Sequence, residues 1–152
     1  MSDRWRVFVY GTLKKGFPNH ARYLADADLL GTFRTRERYR LVLNGERFSP
    51  CLLAGAGQGR RVTGEVYAVD RSGLEQLDRL ERIHLPDGYR RQRIVVDAVD
   101  SSPPESWEVF VYLKDPEGVT DPRSGPLEVY TPEAARAYRG RNEGSGDEKR
   151  TT

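Results

Sequence analysis

The chemistry this chain could perform starts with one carboxylate. Leu74, Leu77 and Leu80 recur at three-residue spacing, and at about 100° per residue they form a single helical stripe centred near Leu77. Glu81 lies seven residues from Leu74 and four from Leu77, so it projects within that stripe. Glu75 and Arg79 point to nearly the opposite side, and Asp78 lies on the flank. A carboxylate on an apolar face loses solvation, which disfavours its charged form. Glu81 is therefore a candidate proton acceptor near neutral pH. It is also a candidate salt-bridge partner for Arg82, Arg90 or Arg91, since structural networks hold carboxylates in the same way.

A second group of interest is Tyr10-Gly11-Thr12-Leu13, which follows an apolar stretch. Glycine there lets the chain turn sharply and aim successive N–H groups at one spot, a nest for a carboxylate or a developing oxyanion. An ordinary strand-ending turn is the plainer alternative, and Lys14-Lys15 beside it are expected to be solvated. Tyr89 and Tyr112 fall where strands begin or end. Each hydroxyl can enter a pocket while its ring packs, or the ring can serve the core alone.

Other chemistries are excluded or weak. The motifs G-x-S-x-G, H-E-x-x-H and G-x-x-x-x-G-K-[ST] do not occur. Gly55-Ala56-Gly57-Gln58-Gly59-Arg60 is not a dinucleotide fingerprint, because Arg60 takes the final glycine position; a flexible hairpin loop is expected. His20 and His84, the two histidines, are far apart, so surface or packing roles are expected and no metal site. One cysteine, Cys51, rules out an internal disulfide and a Cys-rich metal site.

These groups need elements to hold them. Arg4–Tyr10 reads as a strand with a buried centre, followed by a loop and a short helix over His20–Ala27 with Tyr23 and Leu24 inward. Strands are expected at Leu30–Phe33, Tyr39–Leu43, Phe48–Leu53 and Val62–Val69, with Asn44-Gly45 as a type I′ hairpin turn. Ser72-x-x-Glu75 has capping-box spacing and predicts a helix through about Arg82, ended by Pro86-Asp87-Gly88. Tyr89–Val99 and Trp107–Leu113 read as strands, joined by polar Asp100–Pro104. Thr131-Pro132-Glu133 predicts the start of a last helix closing near Gly140. The outcome is α+β, with residues 1–140 as one domain and 141–152 as a polar tail expected to be disordered.

The chain has 152 residues, 37% hydrophobic and 32% charged, with 25 Lys+Arg against 23 Asp+Glu for a net charge of +2. That length suits one domain. Intermixed charge argues against a nucleic-acid partner, with Arg34–Arg38 and Arg90–Arg93 as solvated strand faces. The absence of an apolar run of about 18–20 residues argues against a membrane span. A start lacking signal-peptide character makes a cytoplasmic location the expectation.

Taken as an ordered series, several motifs resemble the gamma-glutamyl cyclotransferase-like superfamily, and within it the gamma-glutamylamine cyclotransferases. They are Tyr10-Gly11-Thr12-Leu13-Lys14-Lys15-Gly16, Pro18-Asn19-His20, Gly64-Glu65-Val66-Tyr67-Ala68-Val69-Asp70, Leu77-Asp78-Arg79-Leu80-Glu81, Tyr89-Arg90-Arg91 and Val109-Phe110-Val111-Tyr112, with a looser echo at Tyr138–Asn142. The resemblance implies a small mixed β-barrel flanked by short helices, with a pocket for a gamma-glutamyl group. It places the catalytic glutamate at Glu81, through the L-D-x-x-E pattern, and the substrate-holding loop at Tyr10–Leu13. Tyr89 and Tyr112 are added as substrate-binding candidates, and Leu80 with Arg82–Pro86 as the leaving-group side. The implied reaction releases 5-oxoproline and a free amine from a small gamma-glutamyl amine or peptide, without metal or cofactor. A non-catalytic binding module and a hydrolase in which Glu81 activates water are the alternatives; monomer or dimer is left open.

Overall fold

The computed structural model describes residues 3–140. Its first strand, β1 (Trp5–Val9), is buried on both faces: Val7, Phe8 and Val9 are all under 4% exposed. This accounts for its unbroken apolar run, since a strand covered on one side only would alternate with polar residues. Phe8 turns into one apolar cluster with Phe33, Val66, Val96 and Val111. Val7 and Val9 turn the other way, into a second cluster with Tyr67, Val69, Leu74, Leu77 and Tyr112.

Around β1 the sheet closes. It pairs antiparallel with β5 (Thr63–Val69), with Val9 opposite Glu65. On its other edge it meets β7 (Ser106–Leu113) in parallel, with Val7 opposite Phe110. Between them β2 (Asp28–Thr35) pairs with β5 and with β6 (Arg90–Ala98), and β6 pairs with β7, giving a mixed barrel in the order β1-β5-β2-β6-β7. A separate hairpin of β3 (Leu41–Asn44) and β4 (Ser49–Leu52) packs beside it. The helices α1 (His20–Tyr23), α2 (Arg71–Leu80) and α3 (Pro132–Arg136) flank the sheets. Burying Leu77 completely contributes about 1.5–3 kcal/mol and fixes the face that α2 presents. Among the described residues no helix is long and apolar enough to cross a membrane.

Several local expectations are corrected. Asn44-Gly45 is not a two-residue turn, because Asn44 still pairs with Ser49 and the connection is Gly45–Phe48. Contacts to a distant segment win: Asp121 N–H donates to Asn44 Oδ1 at 3.1 Å, and Gly45 N–H donates to the Asp121 carbonyl at 2.9 Å. Helix α2 is capped by Asp70, not Ser72; the Asp70 carboxylate accepts from Gly73 N–H at 2.8 Å. A charged acceptor at the positive helix end outcompetes a hydroxyl. The helix closes at Leu80, and Arg82 takes a left-handed φ of 56°. α1 stops at Tyr23, since Asp28 must already pair with Ala68. The glycine loop at 55–59 is not a hairpin, because it carries the chain from β4 in the small sheet to β5 in the barrel. Thr131 does cap α3, its hydroxyl accepting from Ala134 N–H at 3.1 Å, but the helix ends at Arg136, short of Gly140. The tail from Arg141 lies outside the described residues.

Candidate functional site

The turn after β1 is set by close approach. A Cβ on Gly11 would lie 2.6 Å from Pro50 Cγ on β4, and its φ is not positive, so glycine is required there for space and not for an unusual backbone angle. The carbonyls of this turn are all occupied. Gly11 O accepts from Lys14 N–H (3.1 Å), Thr12 O from Asn19 N–H (2.8 Å) and Lys14 O from Phe17 N–H (2.9 Å). Leu13 O lies 3.0 Å from His20 Nδ1, and a carbonyl can only accept, so Nδ1 carries the proton. By contrast, the N–H groups of Gly11, Thr12 and Leu13 have no acceptor among the described residues. Asn19 Nδ2 donates to Thr12 Oγ1 at 2.8 Å, and Glu65 Oε1 accepts from Lys15 N–H at 2.9 Å, fixing both ends of the loop. Carbonyls turned into the protein and amides left over make the arrangement of an anion nest.

Glu81 terminates α2. Its N–H donates to Leu77 O (2.9 Å) and its carbonyl accepts from Tyr89 N–H (2.8 Å), tying the helix end to the start of β6. Gly88 makes this junction possible, because a Cβ there would sit 1.8 Å from the Arg82 carbonyl oxygen. The three arginines considered as salt-bridge partners are each engaged by an aspartate. Arg91 pairs with Asp78 at 2.5 Å, Arg82 with Asp87 at 3.2 Å and Arg90 with Asp115 at 2.9 Å. Glu81 is half-buried and lines a cavity of about 490 Å³ whose wall also includes Tyr10, Gly11, Thr12 and Leu13.

Tyr89 and Tyr112 line the same cavity, with Pro50, Cys51 and Leu80. Tyr112 hydroxyl donates to Asp78 Oδ1 at 2.7 Å, and Tyr89 hydroxyl donates to the Pro50 carbonyl at 2.9 Å and lies 3.3 Å from Cys51 Sγ. Tyr10 hydroxyl donates to the Tyr112 carbonyl at 2.7 Å, joining β1 to β7 beside the turn. Burial pushes the Tyr10, Tyr89 and Tyr112 phenols upward, and the Glu81 carboxylate adds to the rise in each. Burial also raises the Cys51 thiol, opposed in part by the Tyr89 hydroxyl. These groups therefore stay neutral and protonated around Glu81.

Sequence reasoning brought Glu81, Tyr10–Leu13, Tyr89 and Tyr112 to the same cavity, but misjudged some neighbours. Lys14 is not solvated: it is 7% exposed, Nζ donates to the Tyr130 carbonyl at 2.7 Å, and burial pushes its ammonium pKa down. Of the stretch assigned to the leaving-group side, Leu80 lines the cavity and Arg82–Pro86 do not; Asp87 does. Asn19, Arg47, Lys114 and Tyr138 line it without having been singled out for it. The motif Pro18-Asn19-His20 carried a signal for Asn19, whereas nothing local marks Arg47 or Lys114.

The profile of the family described as "Gamma-glutamyl cyclotransferase, AIG2-like" matches residues 7–131. Gamma-glutamylaminecyclotransferase B of Danio rerio is 44% identical over 113 residues, 71% of this chain and 58% of that protein, so the chain spans little more than half that relative's length. Gamma-glutamylaminecyclotransferase of Mus musculus is 41% identical over 114 residues, 70% of this chain and 75% of the relative. The crystal structure of an AIG2-like protein from Mus musculus superposes with a TM-score of 0.74 at 35% identity, covering 90% of this chain and 95% of that one. With that profile running from β1 to the residue that caps α3, the chain belongs to the gamma-glutamyl cyclotransferase, AIG2-like family.

Proposed function

We propose that the protein is a gamma-glutamylamine cyclotransferase, a cytoplasmic enzyme of small gamma-glutamyl amines or peptides whose catalytic unit is the single domain 1–140. The supporting observation is that Glu81 and the Gly11–Leu13 amides wall one cavity. In this reading the turn donates to the γ-carbonyl oxygen of the substrate. Glu81 takes a proton from the substrate's own α-amine, whose nitrogen attacks the γ-carbon and closes a five-membered ring. The tetrahedral intermediate then collapses, the bond from the γ-carbon to the amine nitrogen breaks, and Glu81 returns the proton to that nitrogen. Products are 5-oxoproline and the free amine. Nucleophile and electrophile belong to one molecule, so a curled substrate supplies the proximity term that a protein nucleophile would otherwise provide.

Incubation with gamma-glutamyl amines and gamma-glutamyl amino acids is expected to release 5-oxoproline. Glu81→Gln is expected to lower the rate by about 10²–10⁴-fold, the usual range for a lost acid–base group. Equal rates for wild type and variant would refute the mechanism. Free glutamate as the product would mark a hydrolase, and ligand retention without turnover a binding module.

A further inference from the structure

Packing does not explain helix α1. It is four residues long and none of them is buried, so apolar burial contributes little to holding it. Asn19 occupies its N-cap position, where asparagine is favoured as a cap, yet the side chain makes no capping bond. Instead Asn19 Nδ2 donates to Thr12 Oγ1 at 2.8 Å, and Asn19 N–H donates to the Thr12 carbonyl at 2.8 Å. The next residue, His20, donates from Nδ1 to the Leu13 carbonyl at 3.0 Å. Two adjacent residues at the start of α1 thus engage two adjacent residues of the donor turn.

His20 is itself held in place. Its N–H donates to the Phe17 carbonyl at 3.1 Å, and its own carbonyl accepts from Leu24 N–H at 2.8 Å. The ring centre lies 5.5 Å from that of Tyr67, a core residue 1% exposed. Tyr67 hydroxyl donates to Glu65 Oε1 at 3.0 Å, the same oxygen that accepts from Lys15 N–H. The imidazole is therefore braced against a side chain that also ties the far end of the loop.

The hydrogen bond from His20 reaches the cavity through two peptide units. Leu13 C=O and Lys14 N–H belong to one peptide, and that N–H donates to the Gly11 carbonyl at 3.1 Å. Gly11 C=O and Thr12 N–H belong to another, and both residues line the cavity with Glu81. An amide whose oxygen accepts a hydrogen bond is polarised, and its N–H becomes a better donor by about 10–30% per bond. The His20 Nδ1–H thus orients the turn and, two peptides along, strengthens Thr12 N–H.

We propose that His20 is a positioning residue: it holds the Leu13 carbonyl and, through the Lys14–Gly11 hydrogen bond, prepares Thr12 N–H to donate to the γ-carbonyl oxygen. This rests on the cyclotransferase reading of the same turn. The test compares His20→Phe, which keeps a ring against Tyr67 but has no donor, with His20→Asn, whose Nδ2 falls close to the place of Nδ1. His20→Phe is expected to lower kcat about tenfold with KM within about threefold of wild type, a smaller loss than the 10²–10³-fold of deleting an oxyanion donor outright. His20→Asn is expected to bring kcat back to within about threefold of wild type, because it restores the polarising bond. Melting temperatures measured in parallel check that both variants fold.

Wild-type kcat in His20→Phe, a loss confined to KM, or an equal loss in His20→Asn would overturn the proposal. If wild type yields no 5-oxoproline, the cyclotransferase reading fails, and amide exchange then decides the role of His20 by itself. Lys14 N–H is expected to exchange about fivefold faster in His20→Phe than in wild type or His20→Asn, and equal rates in all three would overturn it. Nitrogen NMR of the wild-type imidazole needs no variant: a neutral ring protonated on Nδ1 supports the bond to Leu13, and one protonated on Nε2 overturns it.

Discussion

Gly11→Ala puts the spacing between Glu81 and the donor turn to a direct test. The added Cβ would stand 2.6 Å from Pro50 Cγ and 3.0 Å from Pro50 Cβ, where carbon atoms rest at about 3.5–4.0 Å. The deficit is about 1 Å. Pro50 has little freedom to retreat: it is buried, pairs across the hairpin with Leu43, and its carbonyl accepts from Tyr89 hydroxyl at 2.9 Å. The turn must therefore move. Overpacking of this kind costs about 1–3 kcal/mol, which lowers the melting temperature by roughly 2–12 °C for a domain of this size. A displacement of about 1 Å in a group that positions the reacting atoms costs about 10²-fold in rate. Gly125→Ala serves as the control, since that Cβ would meet nothing within 4 Å and its φ is not positive. The assay is 5-oxoproline release with melting temperature measured in parallel. A Gly11→Ala protein with wild-type melting and activity within twofold of wild type would refute the claim that close approach to Pro50 sets the turn.

Two further outcomes follow from the hydrogen-bond geometry. Tyr112→Phe removes the hydroxyl that donates to Asp78 at 2.7 Å but keeps the ring. Stability is expected to fall by about 1–2 kcal/mol in urea titration, with kcat reduced about tenfold and KM little changed; unchanged kcat would show that this bond does not support the site. Asp97 tests the far side of the barrel, where burial pulls its carboxyl upward but Ser106 and the Arg36 and Arg61 guanidiniums outweigh it and hold it below the ordinary value. A depressed folded-state pKa contributes stability that is present above the unfolded value near 3.8 and is lost as pH falls through the folded one. Asp97→Asn should therefore cost about 1–2 kcal/mol at pH 7, with the difference shrinking below pH ~4; a pH-independent difference would refute the electrostatic account.

What the sequence made legible was periodic or local. The unbroken apolar run of β1, the alternation in β6 and the leucine spacing of α2 each follow from a pattern that burial enforces, so these elements and the inward direction of Glu81 could be read directly. The α2 cap was misread by two residues because Ser72-x-x-Glu75 and Asp70 both have capping character, and spacing cannot weigh a carboxylate against a hydroxyl. The Asn44-Gly45 turn was misread because contacts with Asp121, far along the chain, decide it. Lys14 was taken as solvated because its acceptor, the Tyr130 carbonyl, lies 116 residues away.

The two acids of Leu77-Asp78-Arg79-Leu80-Glu81 show how one helix turn can divide two roles. Asp78 is compensated on both oxygens, by Tyr112 hydroxyl at 2.7 Å and Arg91 at 2.5 Å, so its charge is locked into the contact between α2, β6 and β7. Three residues later, Glu81 stands at the negative end of the same helix, among phenols and a thiol that its own charge helps to keep protonated. Arg91, Arg82 and Arg90 pair with Asp78, Asp87 and Asp115. Exchanging the two residues would keep composition and helix propensity nearly constant while placing the longer side chain in the paired position. The cavity would be left with a carboxylate one methylene shorter. In the proposed reaction, the order of the two acids, and not their mere presence, decides which of them serves proton transfer.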